Sequence, residues 1–208
     1  MKIKKSRKRA LYFSSLFTVA SLNLGCAFGT RSVNVAYEDC VSSPSATTIE
    51  RAVSVGEFNH TLELDKKERP IIGCVRNGYG MRTAKVVASN NPSEWVKEAF
   101  AKELRTMGYQ VSNESDIRLN GTVVNLYTDM YLNYDSKLSL RVRVNQGERV
   151  HYDKIYEGNA KKIAWFVTPK EYGDVSNKAL QDVMKKALPE IARTLDKLIQ
   201  TSNDKPKI

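Results

Sequence analysis

Residues 138–144, LSLRVRV, set Leu138, Leu140, Val142 and Val144 at every second position, with Ser139, Arg141 and Arg143 between them. Successive side chains of an extended strand point to opposite faces, so this segment buries one face and wets the other. NQGE at 145–148 supplies a turn, and Val150, Tyr152 and Ile155 continue beyond it. The segment therefore opens an antiparallel hairpin.

Other elements have weaker but readable signals. Val53, Val55 and Phe58, then Leu62 and Leu64, suggest two short extended segments or one bulged one, and IIGCV at 71–75 reads as a buried strand. Asn91-Pro92-Ser93-Glu94 offers an N-cap, a proline at the first helical position and an early acid, and Gly108 offers a stop. Between them Val96, Phe100, Leu104 and Met107 share one helical face. Ile117, Leu119, Gly121 and Val123 alternate as a strand that continues in shifted phase through Val124 and Leu126. A short apolar stretch, Ala160 to Val167, ends at Pro169. The last element is a long helix from about Asp174 to Gln200, with Leu180, Met184, Ala187, Ile191, Leu195 and Leu198 as its stripe and a kink expected at Pro189. No internal repeat appears.

The N-terminus sets the compartment. MKIKKSRKRA has six basic residues and no acid, and the apolar run that follows is too short for a membrane span of about 20 residues. Residues 1–25 therefore read as a signal peptide. Gly25-Cys26 resembles the end of a bacterial lipobox, although Asn23 stands where Leu is usual. Cys26 is accordingly read as the lipidation site, and cleavage after Gly25-Cys26-Ala27 to give a soluble protein is the alternative. Without the leader, 27 Lys and Arg face 23 acids, so most of the +10 formal charge that might suggest nucleic acid disappears. Two cysteines remain, Cys40 and Cys74, which an oxidising periplasm would favour joining. Such a bond would close a loop of about 35 residues and contribute about 3–4 kcal/mol, and two buried thiols are the alternative.

No catalytic, metal or cofactor motif is present, and the two histidines, His60 and His151, stand in unrelated contexts. The candidate contacts are instead recognition residues. RNGYGM at 76–81, containing Arg76 and Tyr79, reads as a tight turn or, alternatively, an anion-binding nest. Arg141 and Arg143, with Lys137 and Arg149 nearby, line the wet face of the hairpin, either as a solvated face or as a stripe for an anionic polymer. Tyr127, Tyr131 and Tyr134 surround a presumed connection, where Tyr131 would cover the core edge or meet a partner.

Taken in order, the segment from IIGCV to GYQV, the strand LNGTVVNLYTD, the alternating hairpin and the final helix resemble the YajG-like family of uncharacterised bacterial lipoproteins over roughly residues 70–200. The resemblance implies an α+β domain at 49–200: an antiparallel sheet of about four to six strands, two main helices on one face, and a long C-terminal helix. A lipidated N-terminus and tether would occupy 26–48 and a disordered tail 201–208. It brings no catalytic residues. The expected function is noncatalytic: an outer-membrane lipoprotein facing the periplasm, attached to the membrane by lipid, whose domain binds an unknown envelope protein or polymer and no nucleic acid. The alternatives are cell-surface display, a soluble exported binder of an anionic ligand and, as a distant third, a hydrolase.

Overall fold

The alternation at 138–144 is the middle of a longer strand. The computed structural model describes residues 29–38, 52–165 and 167–203. Its strands are β1 (Gly29–Val33), β2 (Ala52–His60), β3 (Ile71–Arg76), β4 (Arg82–Ala88), β5 (Gln110–Val111), β6 (Ile117–Met130), β7 (Asn133–Gln146) and β8 (Arg149–Ile163), with helices α1 (Pro92–Thr106) and α2 (Pro169–Asn203). β6, β7 and β8 form an antiparallel meander. Along the other edge of β6, β2 and β3 lie end to end, both parallel to it. β4 pairs antiparallel with β3, β1 parallel with β4, and β5 parallel with β2.

The expected antiparallel sheet of about four to six strands is therefore corrected to a mixed sheet with eight strands among the described residues. Hairpins announce themselves through local turns, whereas parallel pairings join segments distant in sequence and leave no local mark. β1 is the clearest case: GTRSV lies in the segment read as a tether, yet Gly29–Val33 pairs with Ala84–Ala88.

Helix boundaries follow their capping chemistry. Asn91 Oδ1 accepts the Ser93 N–H at 2.9 Å, and Gly108, at φ +89°, closes α1. α2 starts five residues before the expected Asp174, because Pro169 occupies a helix start and Thr168 Oγ1 accepts the Glu171 N–H at 3.2 Å. Its helical backbone runs past the expected end, to Asn203, with Pro189 on the exposed side. Residues 160–163 are the end of β8 and form no separate element.

One hydrophobic cluster joins both helices to the same face of the sheet, as expected. α1 contributes Trp95, Val96, Phe100 and Leu104, α2 contributes Leu180, Met184, Ile191 and Leu195, and the strands contribute Leu119, Val123, Leu138 and Leu140. Each such side chain contributes about 1.5–3 kcal/mol by burial. Gly158 lets α2 approach β8 closely: a Cβ there would lie 2.1 Å from the Ala179 carbonyl oxygen. α2 also caps the outer edge of β8, where Asp182 accepts the Asn159 N–H at 3.0 Å and Lys186 donates to the Glu157 carbonyl at 2.7 Å.

Candidate functional site

Strand alternation that sends Leu138, Leu140, Val142 and Val144 into the core sends Arg141, Arg143 and Asn145 to the opposite, open face. β6 adds Arg118, Asn120 and Thr122 to that face, and the bulge in β2 between Val55 and Phe58 brings Glu57 beside them. Together they line a shallow concavity of about 670 Å3. Four cations, Lys97, Arg118, Arg141 and Arg143, line it beside one carboxylate, Glu57, and a second carboxylate, Asp153, pairs with both Arg141 and Arg143.

The floor is ordered by hydrogen bonds. Asn120 Oδ1 accepts the Glu57 N–H at 3.0 Å, and its amide nitrogen donates to Asn145 Oδ1 at 3.4 Å. Arg143 stands opposite Asp153 in the β7–β8 register. Arg141 grips Asp153 through Nε at 2.7 Å and Nη2 at 2.6 Å, and Arg143 Nε reaches the same carboxylate at 2.9 Å. The Arg141 hydrogen bonds hold the Asp153 carboxyl below its usual range, with Arg143 adding to the effect. Ion pairs this exposed are screened by solvent and contribute little to stability, so their main effect is positional. Each guanidinium keeps further N–H donors for an anionic or carbonyl-rich partner.

A second concavity of about 590 Å3 lies over the C-terminal end of β6, between Tyr127, Asp129, Tyr131, Leu132 and Lys137. Beside it, Arg76 Nε donates to both Asp129 oxygens at 2.8 Å, and Arg76 Nη1 reaches the Gly80 carbonyl at 3.2 Å. Arg76 thus fastens the 77–81 turn to the sheet. Cys74 Sγ donates to Asp129 Oδ1 at 3.3 Å, and burial pushes this thiol up. Burial, then the Cys74 hydrogen bond, pushes Tyr127 up to about 12.

The 76–81 segment is a turn, as the first reading has it. Asn77 Oδ1 accepts the N–H groups of Tyr79 and Met81, both at 3.0 Å, and Gly80 sits at φ +79°. Two amides that an anion nest would offer are thereby consumed. Tyr79 remains 89% exposed, and Tyr131 donates its hydroxyl to the Gly78 carbonyl at 3.0 Å, joining this turn to the β6–β7 turn. The tyrosine connection is shorter than expected, because both strands extend to a two-residue turn. Tyr134 is fully buried, edge-on to Tyr172 with ring centroids 5.0 Å apart.

Residues 61–200 match the family model described as an uncharacterized lipoprotein. The chain belongs to this family. That agrees with the YajG-like resemblance of the sequence. The lipoprotein also shares its fold with a crystal structure from Xanthomonas campestris, of the family model DUF330, at 13% identity and a TM-score of 0.51, covering 84% of this chain and 99% of that one. A hypothetical protein from Chlamydia trachomatis aligns at 11% identity and a TM-score of 0.40, covering 72% and 96%. The search of curated proteins returns no match.

Cys26 and Cys40 lie outside the described residues, whereas Cys74 carries a buried free thiol. His60 on β2 and exposed His151 on β8 belong to separate strands, and among the described residues no group of three His, Cys, Asp or Glu could hold a metal. No helix among the described residues is long and apolar enough to cross a membrane. Sequence reasoning missed Arg118, Asn120 and Asn145, whose meeting depends on strand register. Asp153 was legible in principle, since folding the hairpin at NQGE sets it close to both arginines.

Proposed function

We propose that this lipoprotein is a noncatalytic, outer-membrane-anchored binding protein, lipidated at Cys26, whose periplasmic domain uses its open sheet face to hold an envelope protein or polymer. The observation that carries this reading is the face itself: a shallow concavity with an excess of cations, floored by amides and by arginines pre-set on Asp153. Its breadth and openness suit an extended polar or anionic partner better than a small enclosed ligand. A family of lipoproteins supports the anchor, and Ala27 after Cys26, in place of the aspartate that retains enteric-type lipoproteins in the inner membrane, supports the outer-membrane assignment.

Two measurements test this reading separately. Cys26→Ser, or globomycin treatment of cells, should release the protein from membrane fractions or arrest its maturation; unchanged attachment would refute the anchor. Charge reversal of Arg141 and Arg143 should abolish recovery of the crosslinked envelope component while leaving the fold intact. Undiminished recovery would remove the arginine face from the site.

A further inference from the structure

Strand polarity gathers several exposed apolar residues at one end of the sheet. β3 and β6 run parallel and finish together, Val75 beside Met130, so the 77–81 turn and the 131–132 turn emerge side by side. Asn133 pairs with Ile163, which brings the end of β8 to the same place. Tyr79, Met81, Tyr131, Leu132, Ile163 and Trp165 therefore share this end, and they are six of the ten large hydrophobics exposed among the described residues. Tyr79 is 89% exposed and Trp165 82%. Lysines flank them: Lys161 and Lys170 are largely exposed, each in an exposed pair with a carboxylate, Asp135 at 3.1 Å and Asp174 at 3.0 Å, that a phosphate could replace.

The chain enters the fold at this same end. β1 runs parallel to β4, so Gly29 sits beside Ala84, just past the 77–81 turn. Cys26 precedes Gly29 by three residues, a separation that an extended chain spans in at most about 11 Å. An acyl-bearing Cys26 would thus be confined close to the aromatic rim.

We infer that this rim seats the domain on the lipid surface in which Cys26 is anchored, with Tyr79, Tyr131 and Trp165 at headgroup depth and the flanking lysines on phosphates. Tyr and Trp favour that depth because one end of each side chain is apolar and the other is polar. The short tether fixes the occupant as the bilayer, since no other surface is held permanently within reach of this end. The rim would set the sheet on its end, leaving the open face beside the membrane free for a partner. This inference rests on the anchor proposed above.

The test uses full-length acylated protein reconstituted into vesicles of phosphatidylethanolamine and phosphatidylglycerol. The chain has two tryptophans, and Trp95 is buried, so changes in emission report Trp165. Flotation and the mass of the N-terminal peptide are recorded on the same sample. Docking predicts a blue shift and roughly twofold quenching by lipids brominated near the headgroup. Tyr79→Asp with Leu132→Asp, both in exposed turns, should remove the quenching while flotation persists. Protein that floats but leaves Trp165 as open to acrylamide as in solution would overturn the inference and spare the anchor. Quenching undiminished in the double variant would also overturn it. An unacylated Cys26 with no flotation would overturn anchor and docking together. A blue shift that grows with protein concentration in the absence of vesicles would assign the rim to a second copy and overturn docking.

Discussion

Asp129 shows how much can hang on one side chain. It receives Arg76 and the Cys74 thiol at once, and the Arg76 hydrogen bonds hold its carboxyl below the usual range. Cys74 beside it is buried, with its ionisation pushed up. We expect Cys74 to resist iodoacetamide in the folded protein and to react fully once unfolded without reductant. Rapid modification of the folded state would contradict its burial. Resistance after unfolding would mean that Cys40 holds it in a disulfide. Arg141 and Arg143 have the opposite character, being exposed and paired on Asp153. Asp153→Ala should change stability by less than about 1 kcal/mol in urea titration, because such pairs are screened by solvent. Of the residues picked out from sequence, Arg76 proved to be a fastener for a turn, which only its distance to Asp129 reveals.

At the scale of elements, α2 on the sheet is the contact that a single atom can upset. Gly158→Ala places a Cβ against the Ala179 backbone, which cannot move without shifting the helix. The expected loss is about 1–3 kcal/mol, read as a lower urea midpoint at unchanged slope. Lys161→Ala, at a largely exposed ion pair, should stay within about 0.5 kcal/mol. α1 and the 138–155 hairpin were legible because their caps, turn and alternation are local. The phase shift in β6 was legible too, and the structure has it as a bulge between Val123 and Asn125. β1 and β4 were not: GTRSV is polar and short, and RTAKVVA, although the 77–81 turn folds it back on β3, lacks the clean alternation that marks a half-buried strand. The same gap hid part of the candidate site, since Arg118 and Asn120 meet Glu57 only through the parallel β2–β6 register.

For the whole molecule, the carboxylates set the acid limit. Glu190 falls from its usual 4.5 to about 2, chiefly through Lys154 and then the hydroxyls of Tyr152 and Tyr156. Asp65 falls from 3.8 to about 2 through Arg69. A depressed folded-state value means that the unfolded chain takes up protons first as pH falls. Stability from these groups is complete above the usual carboxyl values and declines as pH drops from about 4.5 toward about 2. Urea midpoints should accordingly be level near neutrality and fall through that window. A midpoint that rises on acidification would contradict the pairing.

On the proposed reading, one end of the domain lies near the lipid, one face packs under the helices and the other face stays open for an envelope partner. The most direct test is photocrosslinking in cells from Thr122, on the open face, against Lys185, exposed on α2. The account predicts a discrete envelope adduct from position 122 that is absent from position 185. Equal adducts from both positions, or none from 122, would contradict the assignment of the open face as the binding surface.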